Sequence, residues 1–110
     1  SKANSSGSVD NATATATFAA VAGIRHFVQG AIASYSAAAA AGAHLATLTY
    51  TYGGVSQTIS FQVSVGVWQV YFGNNPIETD ANTAVTLTVP ASGTGTVFGS
   101  ASIYGFQTKD

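Results

Sequence analysis

The stretch "HLATLTYTYGGVSQTISFQV", residues 44–63, constrains the fold of this chain more than any other feature. Two runs rich in Thr, Tyr, Val and Ile flank Gly53-Gly54, and two adjacent glycines supply the positive φ angles that a two-residue type I′ turn requires. A two-residue turn fixes the pairing. Tyr52 then faces Val55, Leu48 faces Ile59, Ala46 faces Phe61 and His44 faces Val63. On the other side Thr51 meets Ser56, Thr49 meets Thr58 and Thr47 meets Ser60. One face is apolar and the other hydroxylated, as a half-buried antiparallel pair demands, and a slip of one residue destroys the sorting.

The remaining sequence reads the same way. Strands are expected near 13–21, 24–35, 43–52, 55–65, 67–72, 84–89 and 95–107, with Gly, Asn and Ser at short intervals between them. In "TAVTLTVP" Val85, Leu87 and Val89 point inward, and Pro90 closes the strand because it cannot donate to a ladder. About seven or eight antiparallel strands with close turns predict an all-β, antiparallel β-sandwich, with a jelly roll as one way of connecting it. Residues 1–11, polar and small, read as a flexible N-terminal arm, and 12–110 as a single sandwich domain.

Two strands sort badly. In "GIRHFVQGAIASY" Ile24, Val28 and Ile32 share one face, while Phe27, Ala31 and Tyr35 occupy the other. In "GTVFGSASIYGFQ" Val97, Ala101 and Ile103 oppose Phe98, Tyr104 and Phe106. Such a strand is central to two layers or covered by another subunit, unless glycines at 30, 99 or 105 mark bulges that exchange the faces. The run "SYSAAAAAGAHL" contains five consecutive alanines, too few to offset helix nucleation, although Ser36 and Gly42 are suited to cap a single turn. Free loops are normally more polar, so the run reads as a connection lying against protein, with another copy near a symmetry axis as one candidate.

Charge excludes several functions. The chain has three basic and four acidic residues, 6% charged in all, against about 25% in an ordinary domain. So few charges protect a free monomer poorly against association, and the surface is either kept soluble by Ser, Thr, Asn and Gln or, on the preferred reading, covered by neighbours. Three scattered cations do not make a nucleic-acid face. No apolar run approaches the roughly 20 residues of a membrane-spanning helix, so no membrane partner is expected. The N-terminal "SKANSSGSVDN" lacks the apolar segment of a signal peptide and begins as a chain does after loss of its initiator methionine, and there is no cysteine. Assembly in a reducing cytoplasm is the corresponding expectation.

Chemistry is sparse. His26 and His44 have no HxH or HExxH spacing, no GxSxG elbow is present, and neither a cofactor nor an enzyme activity is expected. His44, at the end of the apolar hairpin face, reads as a hydrogen-bonded residue at the core edge. Glu78 and Asp80 in "NNPIETDANT" are clustered carboxylates of the kind a calcium site uses, with an exposed polar loop the plainer reading. Trp68 in "VGVWQVYFG" is a candidate sugar platform, but Val70 and Phe72 share its face, as in a core stripe. The run "ATATATF" has the Thr-x-Thr alternation of ice-binding solenoids without any repeat of fixed period.

Two stretches carry a resemblance. "FAAVAGIRHFVQGAIASYS", residues 18–36, is similar to the opening strands of short β proteins encoded among tailed-bacteriophage structural genes, where a "VAG" turn feeds a basic-aromatic strand. "ASGTGTVFGSASIYGFQ", residues 91–107, resembles their final strand. The resemblance implies a capsid decoration or cement protein: a virion component without catalytic residues, commonly a homotrimer, made in the host cytoplasm and bound to the major capsid protein on the outside of the head. It implies a role for the N-terminal segment, which in several such proteins reaches onto the shell. The assembly interface expected from these readings comprises Ser1, Lys2, Ala3, Asn4, Phe27, Ala38, Ala39, Ala40, Phe98 and Tyr104. The rival expectations are a receptor- or glycan-binding module of a viral fibre or tail, with Trp68 or Tyr71 as the sugar patch, and a small bacterial surface protein.

Overall fold

The computed structural model describes residues 2–109. Ten strands follow one another: β1 (Lys2–Ser5), β2 (Val9–Asp10), β3 (Ala14–Phe18), β4 (Ile24–Tyr35), β5 (Leu45–Tyr52), β6 (Val55–Gln62), β7 (Gly66–Tyr71), β8 (Ile77–Glu78), β9 (Val85–Val89) and β10 (Phe98–Lys109). They form two antiparallel sheets packed face to face. The first runs β1-β10-β4-β7, with β2 added to β10 and β8 to β4; the second runs β3-β9-β5-β6. This is the expected all-β sandwich.

The β5–β6 hairpin has the register that its turn dictates. Tyr52 pairs with Val55, Leu48 with Ile59 and Ala46 with Phe61. Gly53 and Gly54 have φ of 64° and 75°, and the His44 carbonyl accepts from the Val63 amide at 2.9 Å. Leu48 then meets Leu87 of β9 in the next ladder, and both are buried.

The core lies between β3, β9 and β5 on one side and β10 and β4 on the other. Phe18, Leu48, Val85, Leu87 and Val89 face Val28, Ala31, Ala33, Tyr35, Ala101 and Ile103. Burying a side chain the size of Leu87 contributes about 1.5–3 kcal/mol relative to exposure. Tyr35 crosses between the sheets and donates its hydroxyl to the Pro90 carbonyl at 2.7 Å, and burial pushes its phenol pKa up.

The two apolar faces of β4 have a local cause. Tyr104 pairs with Gly30, but Gly105 pairs with Val28, so Gln29 is an extra residue in β4. This β-bulge exchanges the faces: His26 and Val28 are buried before it, Ala31, Ala33 and Tyr35 after it. Gly105 is required at the bulge, because a Cβ there would collide with the Phe27 carbonyl. Gly99 marks no shift, and β10 keeps one parity throughout, with Ala101 and Ile103 inward and Phe98, Tyr104 and Phe106 outward.

Two expectations are corrected. The N-terminal segment is not an arm outside the sheet: β1 pairs with β10 from Lys2↔Gly105 to Ser5↔Ser102, and β2 continues beside it. Backbone ladders need no apolar side chains, so polar composition hid the pairing. Trp68 is not in the core; it is 46% exposed. It does sit on the inward parity, opposite Ala33, but β7 packs on β4 and overhangs the second sheet. The alanine run forms no helical turn. It is pinned at Ala40, whose amide donates to Ser92 O at 2.9 Å and whose carbonyl lies 2.8 Å from His44 Nε2.

Candidate interaction surfaces

The outer face of the first sheet brings together residues far apart in sequence. Phe27 pairs with Phe106, and their rings stack at 4.8 Å with an interplanar angle of 10°. One row across the sheet runs Ala3, Tyr104, Gly30, Tyr71. The Tyr104 ring lies over Gly30, where a Cβ would collide with it, and its hydroxyl accepts from Gln69 Nε2 of β7 at 3.1 Å. Ile32, Val67 and Tyr71 share this face, and Phe98 lies at the far end of β10, 41% exposed. Ionic groups sit at both ends: Asp10 pairs with Phe98, and at the other end Arg25 Nη1 is 3.2 Å from Glu78 Oε2. Between these ends Tyr104 lies on an uncharged stretch of the face, with Ser102 and Ser100 separating it from Phe98 along β10.

The outer face of the second sheet is hydroxylated. Thr15, Thr88, Thr47 and Ser60 make one row, and Thr17, Thr86, Thr49 and Thr58 the next. The Thr17 and Thr86 hydroxyls are 3.5 Å apart. The Thr-x-Thr alternation of β3 is thus one column of a lattice that ends with the sheet, built by strand pairing instead of by a sequence repeat.

Of the interface residues expected from sequence, Phe27, Phe98, Tyr104 and Ala3 share the aromatic face. Lys2 and Asn4 turn toward their own chain: the Lys2 ammonium sits 5.6 Å from the Phe18 ring centroid, and Asn4 Nδ2 donates to Thr17 O at 2.5 Å. These contacts tie β1 to β3. Ser1 lies outside the described residues. Ala38, Ala39 and Ala40 lie elsewhere, at the end of the sandwich, in a hollow of about 230 Å³ that they share with His44 and Val63. Phe106, which completes the aromatic stack, was legible as an outward residue of β10 but not as the partner of Phe27.

Among the described residues no group of three or more His, Cys, Asp or Glu side chains is placed to hold a metal ion. Asp80 instead binds the hairpin turn. Gly53 N–H donates to its Oδ1 at 2.9 Å and Gly54 N–H to its Oδ2 at 2.7 Å, and these bonds hold its pKa below the ordinary carboxylate value. His44 behaves as expected, hydrogen-bonded and edge-on to Tyr35. His26 is fully buried against Phe18, with Nε2 3.0 Å from Ala19 O and no partner for Nδ1.

A cleft that sequence reading missed lies beside the hairpin tip. It has a volume of about 430 Å³ and is lined by Tyr50, Tyr52, Gln57, Ile77 and Glu78. Tyr50 and Tyr52 alternate on the apolar hairpin face, which is visible in sequence. What brings β8 to them is the Asp80 clamp, and that is not.

Taken together, the fold and its surfaces define a two-sheet β-sandwich with one aromatic and one hydroxylated outer face. Neither a protein-family model nor a curated protein matches the chain.

Proposed function

We propose that this chain is a structural virion subunit, a capsid decoration or cement protein that binds the major capsid protein on the outside of a phage head. The observation that carries the reading is the aromatic face of the first sheet. Phe27, Phe106, Tyr104 and Ile32 lie together on this outer face, with Phe98 at the far end of β10, and aromatic side chains are the ones enriched at interface centres. The strand orders β1-β10-β4-β7 and β3-β9-β5-β6 support reading the sandwich as a jelly roll, an architecture that viral capsid domains and lectins share. The sequence resemblance points the same way. The mechanism is linkage: a protein that binds only the assembled shell shifts the equilibrium toward it. No reaction and no cofactor enter.

The test is co-sedimentation with expanded phage heads. The wild type pellets with the heads, and Phe106→Glu lowers the bound fraction at least tenfold while its far-UV circular dichroism is unchanged. A wild type that stays in the supernatant overturns the reading.

The Tyr50–Tyr52 cleft favours a second reading, a receptor- or glycan-binding module of a viral fibre or tail. Its volume falls within the roughly 300–1,000 Å³ of small-ligand sites, and two aromatic rings face an amide and a carboxylate. On a glycan array this reading requires hits that Tyr52→Ala abolishes; an array without hits removes it.

A further inference from the structure

β7 is the strand that the rest of the molecule leaves uncovered. It pairs with β4 on one side, and Val67, Trp68 and Tyr71 are 70%, 46% and 66% exposed. Natural sheets protect an apolar edge with a lysine, a proline, a bulge or a covering loop. β7 has none of the first three. The sequence holds no Asp, Glu, Lys or Arg between Arg25 and Glu78, and no proline from Gly66 to Tyr71. The ladder to β4 runs without a shift from Tyr35↔Gly66 to Gly30↔Tyr71. The opposite edge of the same sheet is managed: β1 carries Lys2, and Asn4 ties it to β3.

The backbone of this edge is aimed outward. The Phe72 amide donates to Gln29 O at 2.8 Å, so Phe72 bonds toward β4. Alternation in an antiparallel ladder then turns the N–H and C=O of Tyr71, Gln69 and Val67 toward the open side.

The side chains name the occupant. Around Gln69 the strand reads Val67-Trp68-Gln69-Val70-Tyr71, in which valines and aromatics exchange places across the centre. Let a second copy approach antiparallel on a two-fold axis through Gln69. The outward-bonding residues then meet one another. Val67 lies opposite the second copy's Tyr71 on the outer face, and Trp68 opposite its Val70 on the inner one. Every non-central pair joins an aromatic to a β-branched side chain, the favoured cross-strand combination, and no like charges meet. Moving the axis to Trp68 sets Trp68 against itself, and moving it to Val70 sets Gln69 against Tyr71.

The geometry points to β7 as the site where a second copy of this chain adds on, antiparallel about a two-fold axis through Gln69, to make one continuous sheet. This contact is independent of what the aromatic face binds.

The chain has no cysteine, so single cysteines report the register. Directly opposed residues of a hydrogen-bonded pair have Cα atoms about 5.5 Å apart, within disulfide reach. Gln69→Cys, mildly oxidised, runs as a covalent dimer on a non-reducing gel, and Thr58→Cys on the β6 edge remains monomeric. The wild type sediments at twice the chain mass, and the emission of its single tryptophan moves to shorter wavelength with rising concentration. Gln69→Pro removes an N–H that β4 does not use, so the variant keeps its fold and sediments as a monomer. Should it not fold, Gln69→Lys sets two ammonium groups on the axis and gives the same result. A wild-type monomer at high concentration overturns the inference, whatever else covers β7. So does a cross-link at Thr58 in place of Gln69.

Discussion

The two lateral edges of this sandwich are built in opposite ways. At one, β1 and β3 meet: Lys2 reaches the Phe18 ring, Asn4 bonds the Thr17 carbonyl, and Phe18 beneath them is fully buried. At the other, β6 and β7 each pack on their own sheet, and inward-parity residues Val55 and Trp68 remain 57% and 46% exposed. The same alternation of side chains gives core on one edge and open surface on the other. The difference teaches that parity decides which way a side chain points, and the width of the facing sheet decides whether anything is there to meet it.

The comparison breaks most readily at the closed half. Leu87 is fully buried and opposite Leu48, so Leu87→Ala leaves a cavity and costs about 2–5 kcal/mol in chemical denaturation. A loss below 1 kcal/mol would mean that the sheets are not packed where the structure packs them. Gly30→Ala comes next. Its methyl group lands on the Tyr104 ring, which must swing away and give up its bond from Gln69, for about 1–3 kcal/mol. At the open edge Trp68→Ala removes a larger side chain than either, yet costs the monomer less than about 1 kcal/mol, because half of that surface is already in water. Measured in the monomeric Gln69→Pro background, a cost equal to that of Leu87→Ala would close the edge that the structure leaves open.

How far the sequence could be read follows the same division. The β5–β6 register was legible to the residue, because Gly53-Gly54 fixes it locally and period-two patterning confirms it. The β4 bulge was half legible: glycines at 30 and 105 marked the place, but the extra residue, Gln29, is defined only against β10. The fate of Trp68 was illegible, since nothing near it encodes how far the second sheet extends. The pairing of β1 was hidden for another reason: ladder bonds are made by backbone, and "KANS" carries no pattern to announce them. The aromatic face depends on all of these, so Phe27, Tyr104 and Phe98 were findable as outward residues, whereas their assembly on one face with Phe106 required the bulge.

The smallest expected effect concerns what holds the open side in place of apolar packing. The hairpin tip is fastened to the β8–β9 connection by the Asp80 carboxylate, with one oxygen for each of the Gly53 and Gly54 amides, and by the Asp80 amide on Thr51 O at 2.8 Å. Those amide bonds favour the charged form and lower the folded-state pKa, so the stabilisation is fully present above the ordinary carboxyl value of 3.8. It fades as pH falls through the lower, folded value. Acid should therefore loosen the hairpin tip, and an asparagine, offering one acceptor where the carboxylate offers two, should begin already loosened. The expected result is that Asp80→Asn melts below the wild type at neutral pH and that the gap narrows below about pH 4, with hydrogen exchange at Gly53 and Gly54 accelerated in the variant. A gap that stays constant into acid would separate the clamp from its charge and leave shape alone to account for the tip, while the β1/β3 edge, tied by an amide and a lysine, shows no such narrowing.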